Sequence, residues 1–85
     1  PLRYVWPILA DDGAVKSQIA VENKQTVTVT QDGGKTAQSF TTPGATRVSV
    51  EPDLYPNHNG WARLGVAEFP AGTNRATLVI APRAR

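Results

Sequence analysis

Asp53, Tyr55, Asn57, His58 and Asn59 crowd into the segment Glu51–Gly60, and Trp61 follows at once. These are the residue types that hold a sugar. An aromatic ring offers its face to the apolar C–H side of a pyranose, while carboxylate, amide and imidazole groups bond its hydroxyls. Pro52 and Pro56 interrupt regular pairing, and Asn57-His58-Asn59-Gly60 is a polar run with turn chemistry, so the stretch reads as the one long irregular loop of the chain. Loops of that size in a compact domain often carry function. A Trp at the head of a buried strand usually packs, which is the first expectation for Trp61 and Trp6. Tyr55, beside Pro56 in the loop, is the better candidate for an exposed ring.

Other chemistries find less support. Asp11, Asp12, Glu51 and Asp53 are hard oxygen donors suited to Ca²⁺, but Asp11-Asp12-Gly13 is turn chemistry first and no spaced calcium-loop pattern accompanies it. His58 is the single histidine and there is no cysteine, so His58 has no second His or Cys at ligand spacing and zinc is not expected. No serine stands in a nucleophile frame with a base and an orienting group. Glu51 and Asp53, two apart on one loop, need not oppose each other across a glycosidic bond. Gly33-Gly34 ends a hairpin and forms no phosphate loop. Catalysis, a metal and a cofactor are all unexpected.

Composition narrows the partners. Nine Lys and Arg stand against seven Asp and Glu, and two of the nine are Arg83 and Arg85; the rest of the chain is balanced. No basic run interleaved with aromatics would track a phosphate backbone, so nucleic acid is not an expected partner. The longest apolar run, Tyr4–Ala10, is broken by Pro7 and is too short to span a bilayer, so no membrane role is expected. At 85 residues the chain is a single domain; at that size roughly two-thirds of the unfolded surface is buried, so stability is modest. The chain opens on Pro1 and contains no Met, and reads as a segment of a longer polypeptide.

The elements that must position the loop are strands. Leu2–Ile8 alternates, with Leu2, Tyr4 and Trp6 on one face and Arg3 and Val5 on the other, and Pro7 confines it to an edge or a bulge. Asp11-Asp12-Gly13 turns the chain into an alternating strand that includes Val15, Ser17, Ile19 and Val21. Thr26–Thr30 has Val27 and Val29 facing in and threonines facing out, and Asp32-Gly33-Gly34 makes a hairpin with Lys35–Phe40, whose weak pattern suggests an edge strand. After Thr42-Pro43-Gly44 comes the strand Thr46–Val50. The last third reads as a hairpin: a strand from Gly60-Trp61, a Pro70-Ala71-Gly72 turn and a return strand Ala76–Ile80. Trp61, Leu64 or Val66, Phe69 and Ile80 are expected in one core.

Gly60-Trp61, Leu64-Gly65, Phe69, Ala71-Gly72-Thr73 and Val79 together resemble the C-terminal hairpin of golvesin and xanthan-lyase-type carbohydrate-binding domains. Tyr4-Val5-Trp6-Pro7 is similar to an earlier strand of such modules, and Thr26-Val27-Thr28-Val29 to a later one. Those modules are β-sandwiches at the ends of bacterial secreted enzymes. They are longer, with strands before the Tyr-Val-Trp strand, and they lack the extra hairpin Lys35–Val50.

The sequence thus predicts an all-β, jelly-roll-like β-sandwich of about seven short antiparallel strands, one domain over residues 1–85, which lacks or replaces the opening strands of the modules it resembles. The expected function is non-catalytic recognition of carbohydrate, or docking of substrate, for a larger secreted or cell-surface bacterial protein. Tyr55, Asp53, Asn57, His58, Asn59 and Trp61 are the expected ligand contacts. The alternative is an assembly subunit that pairs with another chain, or with its own copies, through exposed sheet edges.

Overall fold

The computed structural model describes residues 2–11, 17–31, 36–57 and 60–83. Among them there is no helix, and eight strands are present: β1 (Arg3–Asp11), β2 (Gln18–Val21), β3 (Thr26–Gln31), β4 (Thr36–Thr41), β5 (Arg47–Val50), β6 (Tyr55–Asn57), β7 (Gly60–Glu68) and β8 (Val79–Pro82). They form two antiparallel four-stranded sheets that pack as the expected β-sandwich. One sheet runs β1-β7-β5, with β6 also on β7; the other runs β2-β3-β4-β8. The turn residues expected at Asp12-Gly13 and Asp32-Gly33-Gly34, with Val15 and Lys35, lie outside the described residues.

Alternation in β1 does what the sequence predicts. Trp6 and Ile8 are buried with Tyr4 and Leu2 packed beside them, while Arg3 and Val5 face out. The Trp6 ring stacks on Tyr4 at 5.9 Å between centroids and meets Phe40 of the opposite sheet at 6.2 Å. Pro7 is tolerated because, among the described residues, β1 is an edge strand paired with β7 alone, and the pairing shifts register between Leu9 and Asp11. Across that pairing Trp6 faces Gly65. A Cβ on Gly65 would lie 2.6 Å from indole atoms Cε2 and Cζ2, so the ring occupies the space that any other residue would fill.

The second sheet departs from the sequence reading in two places. Val27 and Val29 are buried as expected, but Thr28, on the outward face, is buried too. The cause is a strap of long side chains. Glu22, just past edge strand β2, and Arg83, just past edge strand β8, reach towards each other over the sheet and pair at 3.2 Å, and Thr28 Oγ1 donates to the same Glu22 oxygen at 2.8 Å. The Thr28 hydroxyl, followed by the Arg83 guanidinium, holds the Glu22 carboxyl below its ordinary value. Because the folded-state value is depressed, this contribution to stability is present above the unfolded-state value and is lost as pH falls through the folded one. Thr28→Val keeps the side-chain shape and removes the donor, so the Glu22 midpoint in a carboxyl NMR titration is expected to rise towards the ordinary value. An unchanged midpoint would assign the shift to Arg83 alone.

β4 is not the expected edge strand: it lies between β3 and β8. Its cover comes from the largest correction to the sequence reading. The Pro70-Ala71-Gly72 turn forms, with Gly72 at φ +89° and the Thr73 N–H donating to the Pro70 carbonyl at 3.2 Å. The strand after it does not return along β7. Both flanks of β7 are already taken, by β1 on one side and by β5 and β6 on the other, so the chain crosses to the other sheet. Ala76 and Leu78 pack on the core during the crossing, and β8 pairs with β4, Ile80 opposite Phe40. β8 therefore ends as an edge strand with Val79 and Ile80 exposed, and Ile80 is not a core residue as expected. Phe69 is one, its N–H bonded to the Leu2 carbonyl at 3.0 Å.

Candidate functional site

The Glu51–Gly60 segment is less irregular than its prolines suggest. Tyr55–Asn57 forms β6 and pairs with β7, setting Tyr55 opposite Ala62, Pro56 opposite Trp61 and Asn57 opposite Gly60. Pro56 is accommodated because, among the described residues, β6 pairs with β7 alone. The segment before β6 is tied down as well: the Glu51 N–H donates to the Leu64 carbonyl at 2.8 Å, and the Arg63 guanidinium donates to the Pro52 carbonyl.

Residues directly opposite in an antiparallel pair share a face, and neighbours along a strand alternate. Tyr55 therefore leaves the sheet with Ala62, and Trp61 leaves it on the other side with Pro56. The two rings do not form one platform. Tyr55 is half-buried, whereas Trp61 is 46% exposed, against the expectation that its indole packs. The two tryptophans have thus parted company, Trp6 being 3% exposed. The reason is the position of each along the sandwich. Trp6 lies opposite Phe40, where the sheets overlap; Trp61 lies at the far end of β7, where β6 pairs and the core cluster does not extend.

Asp53 is exposed just ahead of β6. His58 and Asn59, and the side chain of Asn57, lie outside the described residues, as do Asp12 and the side chain of Asp11. Among the described residues no three His, Cys, Asp or Glu side chains converge as a metal site requires. Among the described residues no helix is long and apolar enough to cross a membrane.

Arg63 went unremarked in the sequence and belongs to this end of the molecule. It follows Trp61 by two positions and so shares its face, and it lies opposite Ile8. Beside it a cleft of about 390 Å³ opens between β2 and the β5–β6 connection, lined by Ser17, Ile19, Val21, Val50, Pro52 and Arg63. Ser17 is held there by Gln31, whose Nε2 donates to its Oγ at 2.7 Å. The parity of β7 was the available signal: Gly65 and Ala67 face the core, which places Arg63 and Trp61 on the inner side as well.

No protein-family model matches the chain, and no curated protein or solved structure is significantly similar to it.

Proposed function

We propose that this domain is a non-catalytic module that binds carbohydrate through the β6–β7 end of its sandwich, in the service of a larger secreted or cell-surface bacterial protein. The observation that carries this reading is the exposure of Trp61 on β7, the strand paired on both sides and so the stiffest place in the sheet to mount a ring. An indole fixed in that way binds a pyranose face with little further loss of freedom. Pro56 flanks it on the same face, and Asp53 adds a carboxylate nearby in sequence for sugar hydroxyls. The resemblance of Gly60-Trp61, Leu64-Gly65 and Ala71-Gly72 to golvesin and xanthan-lyase-type modules supports the same reading.

One ring and a few solvent-competed hydrogen bonds supply about 4 to 6 kcal/mol, so dissociation constants in the millimolar to high micromolar range are expected. Affinity electrophoresis in glycan-containing gels is the test. Trp61→Ala is expected to abolish retardation while the melting temperature stays close to that of the parent, because the indole lies outside the core cluster. Tyr55→Ala, on the opposite face, is expected to bind as the parent does. Retention that survives Trp61→Ala but not Tyr55→Ala would move the site to the other face.

A second reading, assembly through sheet edges, draws on β8. Val79 and Ile80 are 47% and 56% exposed on an edge strand, the kind of surface that pairs with another chain. A concentration-dependent oligomer in sedimentation, with no retardation of the parent on any glycan, would replace the first reading with this one.

A further inference from the structure

Arg63 and Trp61 leave the same face of β7 about 7 Å apart, two residues along an extended strand. The base of the arginine stem lies beside Ile8, which is 1% exposed, and its head reaches a cleft whose walls include Ile19, Val21 and Val50. A guanidinium has five N–H donors, and the Pro52 carbonyl accepts from one nitrogen. Among the described side chains the ion pairs are Arg47 with Glu68 and Arg83 with Glu22, and none of their carboxylates stands within salt-bridge reach of Arg63. A half-buried cation with donors to spare, set against an apolar wall, fits a ligand that is anionic at one point and apolar at another. An acidic sugar is such a ligand, since its ring has an apolar face and its substituent a charge.

We infer that the β6–β7 end takes an anionic saccharide, one ring stacking on Trp61 while a charged substituent on it or on the neighbouring ring pairs with Arg63 in the cleft. This rests on the carbohydrate-binding reading of Trp61. The cleft places the charge and the indole places the ring, so an uncharged chain would use half of the site.

The test is affinity electrophoresis of the parent, Arg63→Gln and Arg3→Gln in gels containing polygalacturonate, dextran sulfate or uncharged dextran. Gln at position 63 retains an N–H donor for the Pro52 carbonyl and loses the charge. Arg3, exposed on the other face of β1, is the control for net charge. Arg63→Gln is expected to weaken binding to an acidic glycan roughly tenfold, the value of one charge-assisted contact, with Arg3→Gln close to the parent. The polygalacturonate and dextran sulfate arms tell whether the group is a carboxylate or a sulfate ester. Equal losses in the two variants, or equal retention of the parent on acidic and uncharged glycans, would overturn the inference and leave the Trp61 reading standing. No retention on any glycan would remove both. Should Arg63→Gln fail to fold, the Arg63 Nε–Hε resonance of the labelled parent gives the answer: it shifts on addition of galacturonate oligomers if the pairing exists, and an unmoved signal refutes it.

Discussion

Trp6→Ala is expected to leave most of the protein unfolded at ordinary temperature. The indole is the centre of the core, stacked on Tyr4, tilted against Phe40 across the sandwich and laid over Gly65 on the neighbouring strand. Removing so large a buried ring costs about 3 to 5 kcal/mol, a large share of the stability of a small domain. Gly65→Ala attacks the same contact from the other side. Its new Cβ would stand 2.6 Å from the ring, and because the neighbours are a rigid indole and not the end of a flexible chain, strain of about 1 to 3 kcal/mol is expected. The two losses are not additive. Once the ring is gone the alanine has room, so the double variant Trp6→Ala/Gly65→Ala should be no less stable than Trp6→Ala alone. Denaturant unfolding of the four proteins decides the matter, and strictly additive effects would show that Gly65 is required for a reason other than the ring. Trp6→Phe should cost much less than Trp6→Ala, since the indole N–H is buried without a hydrogen-bond partner among the described residues and a phenyl ring has no donor to satisfy.

Phe69→Ala is expected to be nearly as damaging, about 3 to 5 kcal/mol, whereas Ile80→Ala should change stability by less than about 0.5 kcal/mol. The two residues sit at opposite ends of the crossing from one sheet to the other. Phe69, just past β7, is 4% exposed and bonded through its N–H to the Leu2 carbonyl; Ile80, on the edge strand β8, is 56% exposed. A hairpin running back along β7 would have placed both in the same core and made them equally sensitive. The comparison therefore tests the path of the chain as well as the burial of two side chains. Thermal melts suffice, because a loss of several kcal/mol moves the midpoint of so small a domain by tens of degrees. Similar melting temperatures for the two variants would contradict the crossing.

Strand character and facing were legible from the amino acids. Leu2, Tyr4 and Trp6 point one way and Arg3 and Val5 the other, Val27 and Val29 point in, and Gly72 adopts the positive φ that its turn requires. These are local properties: alternation follows from the pleat, and a glycine's freedom from its missing Cβ. The candidate site was legible only in part. Aromatic and polar residues near Glu51–Gly60 pointed to the β6–β7 end as the candidate, but nothing in their order showed that Tyr55 and Trp61 leave opposite faces of a β6–β7 pair, or that Trp61 lies beyond the core and Trp6 within it. Thr28 was read as an outward threonine, correctly for its face and incorrectly for its burial, because the strap over it joins residues sixty-one positions apart. The destination of β8 and the cleft beside Arg63 likewise belong to the assembled molecule. Which edge a strand joins depends on which edges others have already filled, and whether a side chain is covered depends on how far the opposite sheet reaches. Both are decided between segments distant in the chain, where no local pattern of residues can record them.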